Sequence, residues 1–452
     1  MELVNRHSNI RIDCRGYEIV RVLPRLNEYI NEEWISDKVR FSFDGLFNQR
    51  ITEPLVKDVM GNFKPIGWSE AINLIIQKMN LSNPGNIAFS IGNFCDLESL
   101  TNVYKLRSVL NSAVLSESSI KSLDTDLSIS YKFNTSLINL SKSDVCLLVG
   151  INPKIDGPLL NYHLRKRFLS GNLKVGYIGS QLNLTFPSVH IGNSVNKFIS
   201  VLEGKNAFCK LLRKSKNPTI IIGKSFLNKL ELLNFNLFIN FVKSNLKIVT
   251  RFWNGLNIFN SNSSDFSYYN LGLNCNHLFV PHTLDLLYIV ENSRTITKTI
   301  KSKFTVFQGH HGCANAQNSD LIIPSTSFGE KKSTFINCEG KLQYSQPCTL
   351  PMGKSKDSSL ILSTILSSIL SYYKTVNRDT YISLELLIPI CNFHPSHFFN
   401  YLSFSNSLIA INNSYIPSST FDNFYKTDII SQSSLIMSKS SKELLDKKPF
   451  KL

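Results

Sequence analysis

An α/β protein of layered parallel sheets, with a small N-terminal β cap, is the fold the sequence predicts. Three observations predict it. Five short apolar runs end in glycine: "IAFSIG" at Gly92, "VCLLVG" at Gly150, "KVGYIG" at Gly179, "TIIIG" at Gly223 and "TVFQG" at Gly309. Such runs read as strands buried on both faces, and a terminal Gly lets the chain turn sharply. Helical segments separate them, and strand, Gly turn, helix, strand is the pattern of parallel layers joined by right-handed crossovers. Before the first run, "NIRIDCRG" and "YEIVRVLPR" alternate like antiparallel strands.

Taken in order, residues 1–55 form the expected β cap, and 56–142 the first part of one α/β domain. There "GWSEAINLIIQKMN" predicts a helix with Ser69 as N-cap and Ile72, Ile75, Ile76 and Met79 on one face. Residues 143–300 are expected to form a Rossmann-like domain. Its clearest helix runs from the cap Asp156 to Ser170, with Pro158 in the first turn, Leu160, Leu164 and Phe168 in register, and Gly171 as the stop. From about 255 to 280 the periodicity fails, which predicts a long loop. Residues 301–375 return to the first domain and end in a helix striped by Leu362, Leu366, Ile369 and Tyr373. The polar, aromatic-spotted extension 376–452 is expected to order only by packing on partners.

Composition narrows the function. The 452 residues carry a formal charge of +16, which raises nucleic-acid binding as a rival reading. Yet the basic clusters at His163–Arg167, Arg213–Lys216 and Lys439–Lys451 fall at helix ends or in the tail, and neither an RNA-recognition aromatic motif nor a Cys/His finger occurs. No nucleic-acid partner is expected. No apolar stretch is long enough to span a membrane, since Ser358–Tyr373 is broken by serines. Nine cysteines without a Cys-x-x-Cys pair predict free thiols. Scarce Ala with abundant Asn, Ser, Phe, Ile and Lys suggests an AT-rich organellar genome. The opening residues resemble neither an import sequence nor a signal peptide, so synthesis inside the organelle is expected.

Short motifs give no catalytic constellation. "GHHGC" (309–313) is expected to be a hydrogen-bonded turn, because adjacent side chains rarely converge on one tetrahedral ion. The Gly-Lys-Ser triplets at Gly223 and Gly353 lack the upstream Gly of a P-loop. Asp144, Asp156 and Glu330 look unpaired, and Trp34 and Phe41 are expected to anchor the cap on the body.

Longer blocks carry a resemblance. "LPRLNEYINEEWISDKVRFSFDGL" (23–46), "LVGINPKIDGPLLNYHLRKRFLSGNLKVGYIGS" (148–180), "FQGHHGCANAQNSDLIIPSTSFGEKKSTFINCEGKLQ" (307–343) and "DNFYKTDIISQSSLIMSKSSKE" (422–443) resemble, in order, the largest iron-sulfur subunit of mitochondrial respiratory complex I. That family's portion is related to molybdopterin oxidoreductases such as formate dehydrogenase, which implies the layered parallel fold. In that family a ferredoxin-like, cluster-bearing half precedes this portion. Its absence here implies a separate iron-sulfur polypeptide as partner, beside other matrix-arm subunits.

By the same resemblance, active relatives need a four-cysteine cluster site in the cap, a metal ligand on a loop matching "VLSESSIKS" (114–122), and a dinucleotide cradle. Here the cap has only Cys14, the loop has only hydroxyls such as Ser118 and Ser119, and Gly150, Asn152, Pro153 and Lys154 look like an inherited turn. With Glu330, Asn337 and Gly340 they make an expected vestigial cleft, without catalytic or metal-binding residues. The resemblance then implies a catalytically silent scaffold of NADH:ubiquinone reductase on the matrix side of the mitochondrial inner membrane. No cofactor is expected on this chain, with iron-sulfur clusters, FMN and NADH on partner subunits. The rival of this expectation is a live molybdenum or tungsten oxidoreductase.

Overall fold

The structure is a computed structural model that describes residues 8–116, 127–171, 173–227, 242, 248–260, 262–273, 283–292, 300–376, 415–417 and 423–446. All five Gly-terminated runs are strands, and two parallel-rich sheets hold them. Strands β1 (Ile10–Arg15) and β2 (Glu18–Pro24) pair antiparallel as the cap hairpin. The larger sheet takes β3 (Leu55–Lys57), β4 (Phe63–Pro65), β5 (Ile87–Ile91) and β6 (Ala113–Ser116) from the first half of the chain. The smaller sheet takes β7 (Val145–Val149), β8 (Lys174–Ile178), β9 (Val189–Gly192), β10 (Pro218–Gly223) and β11 (Leu256–Phe259). The chain then returns with β12 (Thr283–Val290), β13 (Lys301–Gly309) and β14 (Leu321–Pro324), and ends its strands with the hairpin β15 (Ser333–Ile336) and β16 (Leu342–Ser345).

The seven-stranded order is β4-β3-β14-β13-β12-β5-β6, parallel except for the β3–β4 edge. The five-stranded order is β11-β10-β7-β8-β9, parallel throughout. Central strands are wholly buried, Val145–Val149 and Ile87–Ile91 at every position, because crossover helices cover both faces. The two sheets share one apolar core, in which Phe89, Tyr288, Leu147, Ile222 and Phe226 belong to a single cluster.

Several local expectations shift. The helix predicted from Ser69 is Trp68–Leu81, capped by the extended Gly67, and its core side is Ala71, Ile75 and Met79. Asp156 does not cap the long helix. It closes a separate turn, Pro153–Asp156, by accepting from Asn152 N at 2.9 Å, and Gly157 precedes the helix Pro158–Leu169. The loop expected over 255–280 contains β11 and the helix Ser263–Asn270, while 274–282 fall outside the described residues. A capping box between Asn262 and Asp265 starts that helix. Burial of Tyr268 and Tyr269 holds it, a tertiary term that periodicity does not register.

The tail folds back. Its described helices Ile429–Ser433 and Leu435–Ser441 sit on the chain's own cap region. Asp44 accepts from Leu435 N and Ile436 N at 2.9 and 3.1 Å, and from Ser434 Oγ. Lys38, fully buried, pairs with Asp428 at 2.9 Å and donates to Thr427 Oγ1. Of the expected anchors, Trp34 lies 5.4 Å from the Tyr162 ring on the Pro158–Leu169 helix, and both Trp34 and Phe41 stay largely exposed.

Candidate functional site

Open α/β sheets bind ligands outside the carboxyl ends of their strands, and this chain has two such edges. At the edge of the seven-stranded sheet, β5, β12, β13 and β14 deliver Asp96, Glu291, His310 and the 325–331 loop to one place. Lys331 is its centre, with a side chain 4% exposed. Its Nζ lies 2.6 Å from Asp96 Oδ2, 3.8 Å from Glu291 Oε1 and 4.0 Å from Asp357 Oδ1.

One ammonium among three carboxyls sets their protonation. Burial acts to raise the Asp96 carboxyl, but Lys331 and the Ser99 hydrogen bonds outweigh it and hold Asp96 below the ordinary range. Burial pushes the Glu291 carboxyl up against the pull of Lys331, and burial raises Asp357 as well. Burial acts to lower Lys331, and the Glu291 and Asp96 charges more than reverse it. Lys331 therefore remains a cation. Asp96 also caps the helix Leu97–Leu110 by accepting from Ser99 N at 2.9 Å.

Beside this cluster His310 and His311 touch ring to ring through their Nδ1 atoms, and His311 Nε2 donates to Gly45 O at 2.7 Å. Burial lowers both, His311 to about 4 and His310 well below its usual value, so the pair is neutral at physiological pH. The cavity left among Glu291, His310, Thr326 and Lys331 is about 20 Å³, room for a single water.

The second edge, at β7, β8 and β10, is closed by the chain itself. Gly150 has φ +59°, and a Cβ there would meet Phe226 N at 2.9 Å and Ile416 Cγ2 at 3.1 Å. Ile416, fully buried, is held by its N–H to Asn193 O at 2.9 Å and by its carbonyl, which accepts from Ser180 N at 3.2 Å. On β10, a Cβ at Gly223 would lie 2.2 Å from Gly150 O.

The sequence-predicted cleft residues therefore disperse. Asn152 accepts from Lys154 N at 3.1 Å, Pro153 opens the short helical turn, and Lys154 is exposed. Glu330 takes a two-pronged ion pair from Arg50, both contacts 2.7 Å, and accepts from Ser327 N at 2.9 Å. Asn337 Oδ1 ties the β15–β16 turn by accepting from Glu339 N and Lys341 N at 3.0 and 2.8 Å, and Gly340 turns there at φ +77°. Ser118 and Ser119 lie outside the described residues.

The carboxylates expected to be unpaired have partners: Asp144 meets Arg167 at 3.3 Å, Asp156 the Asn152 amide, and Glu330 Arg50. Sequence reasoning also missed the Lys331 cluster. The only local signal was Asp96 ahead of an apolar helical run, because Asp96, Glu291, Lys331 and Asp357 come from four separate connections of the chain.

Comparison with known proteins gives these edges a family. Residues 50–368 match the family described as Molybdopterin oxidoreductase. Residues 7–44 match the NADH-ubiquinone oxidoreductase NDSU1/NuoG-like, 4Fe-4S domain. The NADH-ubiquinone oxidoreductase 75 kDa subunit of Reclinomonas americana is 33% identical, over 96% of this chain and 66% of that protein. The mitochondrial NADH dehydrogenase [ubiquinone] iron-sulfur protein 1 of Solanum tuberosum is 30% identical, over 96% and 60%. The mitochondrial NADH-ubiquinone oxidoreductase 78 kDa subunit of Candida albicans is 33% identical, over 96% and 62%. The chain thus spans just under two-thirds of the length of these relatives. A chain from the formyltransferase/hydrolase complex (FhcABCD) of Methylorubrum extorquens shares the fold, with TM-score 0.52 and 12% identity over 71% of this chain and 99% of that one.

One expectation is corrected here. The sequence reading places no cofactor on this chain, but the match of residues 7–44 to a 4Fe-4S domain puts an iron-sulfur type of domain on it. A four-iron cluster takes four thiolates. Residues 7–44 contain one cysteine, Cys14, so this donor set alone does not complete the ligation. No group of three or more His, Cys, Asp or Glu among the described residues could hold a metal ion. At the second edge, Phe226, Ile416 and Gly150 O stand where a dinucleotide would approach the Gly turns, so the residues there do not fit a pterin dinucleotide. The fold, the two strand-end edges and the match over 50–368 lead to one assignment: the chain belongs to the molybdopterin oxidoreductase family.

Proposed function

We propose that this chain is a structural core subunit of NADH:ubiquinone oxidoreductase, in the matrix-side arm of the mitochondrial complex, and that it supports electron transfer from NADH to ubiquinone without catalysing a step itself. The observation that carries the proposal is the relatives' extent: proteins named for that enzyme align over 96% of this chain. The closed strand ends are in keeping with a framework role, and we read Gly150, Asn152, Pro153, Lys154, Glu330, Asn337 and Gly340 as turns and ties kept from a binding cleft. No helix among the described residues is long and apolar enough to cross a membrane, which suits a subunit attached through its neighbours.

The finer part of the proposal is a separate ferredoxin-like polypeptide among its partners, gene location in the organelle, and a division at residues 55, 142 and 375, with the boundary expected at 300 moved ahead of β12 because that strand pairs with β5 and β13. The test is purification in mild detergent. The chain should co-migrate with an NADH-oxidising membrane complex, and a polypeptide with closely spaced cysteines should co-purify. The isolated chain should oxidise no NADH. Migration as a lone protein away from that activity, or turnover by the isolated chain, would overturn the proposal.

A further inference from the structure

The five-stranded sheet is parallel throughout, so the amino ends of its strands share one edge, opposite the edge of the Gly150 and Gly223 turns. There Val145 on β7 starts level with Pro218 on β10 and Lys174 on β8. Asp144, one residue before β7, ties this edge together. Its Oδ1 accepts from Arg167 Nη2 and its Oδ2 from Asn217 N, both at 3.3 Å, while its carbonyl accepts from Lys174 N at 3.0 Å. Asn217 Nδ2 donates in turn to Lys142 O at 2.9 Å. Both oxygens of this carboxylate are therefore spent on the fold.

Cations surround it. Lys142, Lys174, Lys214, Lys216 and Arg251 are exposed, and none has a carboxylate partner among the described residues. Helix C-termini favour basic residues, which accounts for Lys214 at the end of the helix Ala207–Lys214. It does not account for Lys174 on a strand, or for Lys216 and Arg251 in connections. Arg251 sits in a turn closed by Thr250 N donating to Trp253 O at 2.7 Å, and Trp253 Nε1 pins that turn to the edge by donating to Pro218 O at 2.8 Å. The turn presents Phe252, 90% exposed, beside the Arg251 guanidinium. An aromatic anchor held among charged residues is the anatomy of a protein–protein hot spot with its polar rim.

We infer that this edge docks an acidic face of a neighbouring polypeptide of the complex, whose carboxylates meet the lysines and whose apolar recess takes Phe252. The inference rests on the subunit reading above. Carboxylates across the interface relieve the mutual repulsion of the uncompensated cations and set the docking register. Size and layout favour a protein. From β11 to β8 the edge spans three strand spacings, about 14 Å, and the turn offers one aromatic ring. A single-stranded nucleic acid is held instead on a track of successive stacking rings, and a membrane surface by an amphipathic helix with a broad apolar face.

The test uses the intact complex. Zero-length carbodiimide cross-linking at low salt, mapped by mass spectrometry, should join Lys174, Lys214 or Lys216 to Asp or Glu side chains of one other polypeptide. High salt during the reaction should abolish those links. In the double variant Lys174→Glu, Lys216→Glu, the amount of that polypeptide retained per copy of this chain at low salt should fall about tenfold, and in Lys174→Gln, Lys216→Gln it should fall less. A complex that holds this chain but yields no such link, or yields links only within this chain, overturns the inference and leaves the subunit reading standing. Loss of RNA or anionic-vesicle binding in the Glu variant, with every polypeptide still retained, overturns it in the same way. A chain found outside any complex overturns both.

Discussion

Arg50 and Glu330 lie 280 residues apart in sequence and meet in a two-pronged ion pair, guanidinium Nη1 and Nη2 each donating at 2.7 Å to one carboxylate oxygen. Both side chains are 2% exposed. Arg50 also donates to His310 O and Leu46 O, so one side chain joins the end of the cap to β13 and to the loop beyond β14.

Cutting this pair on one side leaves a buried charge without its partner. Glu330→Gln and Arg50→Ala should each lower stability by about 3–5 kcal/mol. Replacing both residues by apolar ones of similar volume should lose much less. Urea unfolding of the two single variants and the double variant measures the difference, and equal losses in all three would contradict the buried-pair account.

Gly150 should not tolerate a side chain. Gly150→Ala puts a Cβ at φ +59° against Phe226 N and Ile416 Cγ2, which combines backbone strain with overpacking at about 2–4 kcal/mol. Ile416→Ala leaves a cavity instead and should cost about 2–5 kcal/mol. If the Ile416 segment were seated elsewhere, Ile416→Ala would leave the thermal midpoint unchanged.

The His310–His311 pair makes stability fall on acidification. Both imidazoles have folded values below their unfolded value of 6.5, with His311 at about 4. Between those values the unfolded chain binds more protons than the folded one. Stability is therefore full above 6.5 and is lost as pH falls toward 4, by on the order of 3 kcal/mol for His311 alone. The groups around the pair, Arg50 and Lys331, add positive charge, and Asp428 opposes it at His311. Unfolding midpoints across that pH range should slope less in His311→Gln than in the wild type.

The tail should release from the cap when its cap residue goes. Asp44→Ala removes the acceptor of the Leu435 and Ile436 amides and of Ser434 Oγ, a loss of about 1–2 kcal/mol. Asp428→Asn, which strands the fully buried Lys38 ammonium, should be more severe, about 3–5 kcal/mol. Hydrogen exchange at residues 429–441 should rise in both variants before it rises in β5 or β7.

The strands were legible because their signal is local. An apolar run closed by glycine reads the same wherever it sits, and Gly92, Gly150, Gly179, Gly223 and Gly309 each end or follow a strand. The helix Ser263–Asn270 was illegible because burial of Tyr268 and Tyr269, and not a periodic stripe, holds it. The pairings of Asp144, Asp156 and Glu330 were illegible for a related reason. The ion pairs of Asp144 with Arg167 and of Glu330 with Arg50 join separated segments and leave no mark in the neighbouring residues, while Asp156 meets the Asn152 amide within a short turn whose boundary the pattern misplaced.

By itself, the sequence determined the α/β class, the five strands closed by glycine, the apolar stripe of Ser358–Val376 and the family blocks at 23–46, 148–180, 307–343 and 422–443. Tertiary structure alone decided that Lys331 stands among Asp96, Glu291 and Asp357, that Ile416 closes the Gly150 turn, and that the tail clasps its own cap through Lys38 and Asp44. The physical reason is range: hydrogen-bonded strands and turns are set by nearest neighbours, whereas desolvated charges and plugged strand ends exist only once distant segments have been brought within a few ångströms.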